Sequence, residues 1–391
     1  MKKIWPFSFY FWQYAGVAFM APFAVLFYQQ LGFSGTQIGL LAGLAPLVTL
    51  FGAPLWTGFA DAARRHRLVM SLTLLGGSLA IFVFPFLSAF LPVLLVLVVA
   101  NFFMAPVSSL ADSATMAMLG SEKAMYGRVR MGGTFGFAIA APVAGLLVQR
   151  FGIGMAFWGC ALMYFLAFLT SQKFAHASAP EGHARLSLAS GSRILLGNPR
   201  WLLFLAGALG GGIAMAVTNN YFFPYMKELG SNESTMGLAL TVGTIGEVPV
   251  MFFGNHLLKK FKAYPLFILS LVITGLRLVL FYFAINPIQA LFIQLLNGMA
   301  FPAMWLAGVA FTDEHAPAGM SATAQGIFGA VVFGIGTTIG GFLGGALLES
   351  IGARGMCLVF GLITLATVAL VLLVSRFLPA LPVEKAVPGS L

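Results

Sequence analysis

The chain has 391 residues, of which 60% are apolar and only 8% charged, with a mean hydropathy of +0.95. A soluble domain carries about 25% charged residues, so the composition excludes a soluble globule and points to a membrane protein. The formal net charge of +10 would suggest a nucleic-acid partner in a soluble chain, but the way the charge is distributed removes that reading.

A helix needs about 20 apolar residues to cross a bilayer, and only helices or closed barrels can span one. The apolar runs here are too long for the alternating pattern of barrel strands. In chain order, hydropathy predicts spans at 6–31, 35–60, 67–87, 92–119, 126–149, 153–173, 200–228, 234–258, 264–285, 288–312, 320–347 and 354–377. The first follows a basic start, MKKIWPFSFYFWQ, with no A-x-A cleavage site, and reads as a retained span. The expected fold is all-α, with twelve transmembrane helices in two six-helix bundles.

Of the 21 lysines and arginines, Arg150, Lys227 and Arg354 fall in one set of loops and Arg277 falls inside a span; all the others lie at the opposite helix ends. The positive-inside rule makes that basic side the cytoplasm. The reading is a multi-pass protein of the cell inner (plasma) membrane with both termini cytoplasmic. The same asymmetry accounts for the basic charge without nucleic acid.

Residues 174–199 contain HASAPEGHARLSLASGSR, rich in small residues, Pro and Gly. This composition suits a flexible connector. It divides the chain into an amino-terminal bundle (1–173), a cytoplasmic linker (174–199) and a carboxy-terminal bundle with a short tail (200–391). His176 and His183 in the linker read as solvated side chains. Cys160 and Cys357 lie in apolar runs without ligand spacing. No metal site or cofactor is expected, and a monomer in the lipid bilayer is the expected state.

The halves repeat weakly. LGFSGTQIG at 31–39 matches LGSNESTMG at 229–237. PLWTGFADAARRHR at 54–67 aligns with PVMFFGNHLLKKFK at 249–262, and AGLLVQRFG at 144–152 echoes GALLESIG at 345–352. Three matches in the same order argue for duplication about an axis along the membrane normal.

An ionisable residue inside a span costs about 2.5–3.5 kcal/mol on insertion scales. Asp112, Arg130, Glu247 and Arg277 are such residues. Asp112 near the end of span four and Arg130 near the start of span five match in depth and are expected to pair, as a fixed strut or as a gate. Glu247 in span eight and Arg277 in span nine are expected to pair near the midplane. Thr241, Thr244 and Glu247 recur every three residues and share a helix face. Further polar stripes comprise Tyr10, Gln13 and Tyr14 in span one, Asn101 in span four, and Asn219, Asn220 and Tyr221 in span seven. Gln294, Asn297, Phe301, Met304 and Trp305 form another on span ten. Each could serve helix–helix bonding; together they suit a small polar ligand with a flat or ring-shaped body.

GFADAARRHR at 58–67 resembles the loop signature of the major facilitator superfamily: glycine, aspartate, then a basic cluster. The family's usual glycine position is held by Thr57, with Gly58 next to it. ADSATMAMLG at 111–120 followed by YGRVRMGGTFGFAIA at 126–140 is similar to the branch holding lactose permease-like, nucleoside–proton and phenylpropionate transporters. Glu247 with Pro249, Arg277, QLLNGMAF at 294–301 and SATAQG at 321–326 fit the same branch. Relatives often carry a histidine where this chain has Asn297.

The resemblance implies a secondary active transporter working by alternating access, its cargo a nucleoside, sugar or aromatic acid moved with protons. Proton-driven efflux, an uncoupled facilitator and a non-transporting sensor are the alternatives. An enzyme is not expected, since no nucleophile–base pair or cofactor motif lies at membrane depth. Within this frame Glu247 and Arg277 are the expected proton-coupling residues. An arginine beside a buried carboxylate favours its charged form, and withdrawing the arginine favours proton uptake. Gln13, Tyr14, Asn101, Asn219, Asn220, Tyr221, Thr244, Gln294, Asn297 and Trp305 are expected to contact the solute. Asp61, Arg64, Arg65, Asp112 and Arg130 are expected to act in gating.

Overall fold

A computed structural model describes residues 4–174, 195, 197–316 and 320–378. Most of the expected linker, with His176 and His183, lies outside the described residues, as does the tail beyond 378.

Among the described residues, eleven helices are long and apolar enough to span a membrane. The first ten are α1 (Ile4–Gln30), α2 (Gly35–Ala63), α3 (His66–Phe86), α4 (Phe90–Leu119), α5 (Tyr126–Phe151), α6 (Gly154–Ser171), α7 (Pro199–Asn220), α8 (Glu233–Phe252), α9 (Ala263–Phe283) and α10 (Pro287–His315). The last, Thr323–Ser375, has 53 residues. At 1.5 Å per residue it is too long for one crossing. Gly352, with φ +74°, breaks it, giving α11 (323–351) and α12 (353–375). Twelve crossings therefore stand, and a single residue separates the last two.

Two predicted spans end early. The seventh stops at Asn220 and restarts as a short helix, Phe222–Glu228. The eighth stops at Phe252, and Gly254–Phe261 forms a separate helix ending in Lys259 and Lys260. The sequence of that second piece, GNHLLKKF, puts apolar and basic residues on opposite faces, which suits an interface better than a bilayer core.

The weak sequence repeats mark helix starts and stops. Gly32 (φ +75°) and Gly230 (φ +79°) make equivalent turns, which glycine adopts without a Cβ clash. Two residues later, Ser34 caps α2 in a capping box with Gln37, and Asn232 caps α8 by accepting from Thr235 N–H. Gly152 and Gly352 end α5 and α11.

Packing follows the same duplication. In the first half α1 packs on α5 and α6, α3 on α4 and α6, and α2 on α4; in the second, α7 packs on α11 and α12, α9 on α10 and α12, and α8 on α10. The halves meet along α2–α11 and α5–α8.

Two faces can be named by position. The terminal face carries the chain's first and last described helix ends. The distal face carries the 31–34, 152–153, 229–232 and 284–286 turns. At the distal face the seams are built from small residues. A Cβ on Gly345 would strike the backbone of Gly35 and Gly39, and one on Gly237 would strike Ala141. Such close backbone approach needs glycine. Leu50 meets Gly334 farther along α2. The first turns of α11 pack on α10 instead. Thr241 still reaches Ala138 across the α5–α8 seam, but Gly246 packs on Gly298 of α10. The halves are thus joined at the distal end and diverge toward the terminal face. Core packing agrees. One buried cluster runs through the first half and across the distal junction, and a second, around Trp201, Phe204, Phe311 and Phe328, belongs to the second half.

Candidate functional site

In the first half, α1, α4 and α5 bring charged and phenolic groups to one place. Arg130 Nη1 lies 3.0 and 3.2 Å from the two Asp112 carboxylate oxygens. The same nitrogen donates to Tyr126 Oη at 3.0 Å, and Nη2 donates to Tyr14 Oη at 3.0 Å. Tyr10 Oη donates to Asp112 Oδ1 at 2.6 Å and sits 3.3 Å from Thr115 Oγ1. Gln13 Nε2 donates to Ser108 Oγ at 2.7 Å, while its buried Oε1 has no partner. Helix periodicity explains the convergence: Tyr10 and Tyr14 are four apart on α1, and Tyr126 and Arg130 four apart on α5. The ion pair is not sealed in the core, since the side chains of Arg130 and Asp112 are 39% and 36% exposed. The expected pairing of Asp112 with Arg130 is present. Tyr126, Ser108 and Thr115 are additions. Tyr126 stood in the YGRVR motif, and its spacing to Arg130 was the available signal.

In the second half the expected Glu247–Arg277 contact is absent. Arg277 is 2% exposed and donates to Asn297 of α10. Its guanidinium lies 5.8 Å from the Phe281 ring centre, and its Nε has no partner. Glu247 has no hydrogen bond or ion pair among the described residues, although Arg277 is near enough to act on it electrostatically. The reason is positional. Glu247 lies in the last turns of α8 before the terminal face, whereas Arg277 lies in the last turns of α9 before the distal face. Matching positions by predicted span centres concealed this offset.

The remaining predicted contacts divide. Gln13 and Tyr14 join the first-half cluster. Asn297 holds Arg277, and Gln294 is buried beside Gly243 with Oε1 unpartnered. Asn101 and Thr244 bond to Leu97 and Leu240 carbonyls of their own helices. Asn219 and Asn220 sit in the last turn of α7, before the break at Tyr221, and the buried Tyr221 donates to Gly341 O at 2.6 Å. Trp305 stacks on Phe328 with centroids 5.2 Å apart. At the terminal face Asp61 lies 2.8 Å from His66 Nε2. Arg64 ends α2 with φ +51°, and Arg65 precedes α3. No group of three or more metal-binding side chains occurs among the described residues.

The profile of the MFS_1 like family matches residues 4–359. The chain belongs to that family of the major facilitator superfamily. It is 24% identical over 371 residues to an uncharacterized transporter of Bacillus subtilis, YwbF, covering 93% of this chain and 91% of that protein. It is 24% identical over 382 residues to the maltose permease of Geobacillus stearothermophilus, covering 96% and 95%. Its fold matches the crystal structure of the nucleoside transporter NupG with a TM-score of 0.85 at 17% identity, covering 96% of this chain and 99% of that one. The protein is a multi-pass membrane transporter of the major facilitator type.

Proposed function

We propose that this transporter carries a small, neutral, hydroxyl-rich solute of the sugar or nucleoside class, in symport with protons, by alternating access. The solute site lies between the halves, where the helices diverge, and the terminal face is cytoplasmic. The single observation that carries the reading is the first-half cluster. A partly exposed Asp112–Arg130 pair surrounded by three tyrosine hydroxyls offers donors, acceptors and ring faces together at membrane depth. Such a mixture suits ring hydroxyls better than an anion, which the neighbouring carboxylate would repel. The transported classes named for the maltose permease and NupG support the same choice. Glu247 is the proton carrier in this reading. A carboxylate inside a span without a direct partner is costly when charged, so it has reason to take up a proton.

Purified protein in proteoliposomes tests this. Labelled maltose and a labelled nucleoside series should accumulate when an inward proton gradient is imposed, and only equilibrate without one. Equal uptake with and without the gradient would remove proton coupling. No uptake of either class would remove the solute assignment.

A further inference from the structure

The basic clusters of the two halves occupy equivalent places and differ in what neutralises them. In the aligned repeats at 54–67 and 249–262, Arg64, Arg65 and Arg67 fall on Lys259, Lys260 and Lys262, and Asp61 falls on His256. The first cluster thus carries its own carboxylate, 2.8 Å from His66 Nε2. The second carries none, since PVMFFGNHLLKKFK contains no acidic residue. Among the described residues, the ammonium groups of Lys259, Lys260 and Lys262 make no ion pair. Of the acidic residues at the nearby end of α10, Asp313 accepts from the Ser321 hydroxyl, and Glu314 forms no ion pair with the lysines.

The same segment leaves aromatic rings uncovered. The Gly254–Phe261 helix packs Leu257 and Leu258 onto the second-half core. Phe252, Phe253 and Phe261 stay 79%, 56% and 40% exposed. The Phe252 and Phe253 rings meet edge-on with centres 5.1 Å apart, and Lys260 Nζ lies 5.5 Å from the Phe261 ring centre. Lys262, with φ +60°, turns the chain directly into α9. Rings and ammonium groups therefore share one short segment at the terminal face. Water would leave the rings unburied, and the bilayer core would strand the charges. The headgroup boundary satisfies both.

We propose that this segment is a docking surface for an anionic phospholipid. The lipid phosphate is held by Lys259, Lys260 and Lys262, while Phe252, Phe253 and Phe261 enter the boundary with the acyl chains. The lipid supplies from outside the negative charge that Asp61 supplies within the first half. A phospholipid fits better than a free anion, because the uncovered rings need an apolar partner at the same place. A lysine near an anionic membrane surface is worth about fivefold in affinity, so the unpaired cluster discriminates strongly between charged and neutral headgroups. This goes beyond the transport reading, since it depends on neither the solute nor the coupled ion.

Native mass spectrometry of the full chain, delipidated in detergent and titrated with lipid, reads the affinity for the first molecule bound. No solute or gradient is added, so the outcome is separate from that of the uptake assay. Phosphatidylglycerol should bind about tenfold or more tightly than phosphatidylcholine with the same acyl chains, and the preference should shrink as salt rises. Exchanging Lys259, Lys260 and Lys262 together for Gln should cost about tenfold in phosphatidylglycerol affinity and leave phosphatidylcholine unchanged, whereas exchanging all three for Arg should preserve both. His256→Asp, which installs the carboxylate of the first half, should weaken phosphatidylglycerol about fivefold. Unchanged phosphatidylglycerol affinity in both the triple Gln variant and His256→Asp would overturn the proposal, and so would an unchanged His256→Asp alone if the triple variant fails to fold. Displacement of the bound lipid by millimolar glycerol phosphate would also overturn it, by making the cluster a site for a free anion.

Discussion

The two halves share one packing plan, yet they treat their membrane-buried charges differently. In the first half Asp112 and Arg130 meet directly and are surrounded by tyrosine hydroxyls. In the second, Arg277 rests on a neutral amide with one nitrogen unpartnered, and Glu247 has no hydrogen bond or ion pair among the described residues. A charge pair held by direct partners resists rearrangement, because a partner that leaves strands the other. An under-partnered pair has less to lose from changing partners or charge state. In the function proposed above, recognition falls to the first half and proton exchange to the second.

The sharpest test of that division is Glu247→Gln. It should abolish accumulation driven by a pH gradient while leaving solute exchange within about twofold, since exchange requires no net proton movement; parallel uptake and counterflow assays read the two. Surviving uphill uptake would shift the proton role elsewhere. Next comes Arg130→Ala, which leaves Asp112 facing tyrosines alone. Its destabilisation, discounted for partial exposure, should be about 1–3 kcal/mol, with solute binding lost; thermal unfolding and equilibrium binding measure it. Asp112→Ala with Arg130→Ala should recover part of the stability without restoring binding. If the double variant is no more stable than the single, the pair is not the strut described here.

Smaller effects probe residues outside the contrast. Tyr221→Phe removes a buried bond to Gly341 O and should cost about 1 kcal/mol of stability with unchanged solute affinity. A large affinity loss would return Tyr221 to the solute site. Asp61→Asn should change stability by under about 1 kcal/mol, as expected for a partly exposed polar contact, yet slow turnover while preserving binding. Loss of binding in folded protein would break the assignment of Asp61 to gating.

Much of this was legible from the sequence, for identifiable reasons. Hydropathy located the crossings because a bilayer sets a length that soluble folds lack. The Asp112–Arg130 pair was legible because both residues lie within two turns of the same short connection, so their depths agree whatever the exact helix ends. Glu247 and Arg277 were not legible as separate, because each lies well inside a span and its depth depends on where α8 stops. That stop, at Phe252 before an amphipathic piece, is a local feature that average hydropathy smooths over. The polar stripe of Asn219, Asn220 and Tyr221 falls at a break that hydropathy does not show: α7 ends there, and the following FFPYMKE is a separate short helix. Gln149 and Glu349 were visible as matching positions of a repeat, but their contacts across the halves, with Ser234 N–H and Thr36 N–H, came only from the packing.

The one-residue break at Gly352 has a mechanical consequence. The helix after it starts at once, and its first N–H groups are clamped by Glu228 from the segment that follows α7. No loop separates α11 from α12, and Glu228, at the end of the Phe222–Glu228 helix, ties that junction to the segment after α7. A tilt of α11 would therefore carry the start of α12 and the Phe222–Glu228 helix with it. In an alternating-access cycle that corner would move as a block, with no loop there to absorb the stroke.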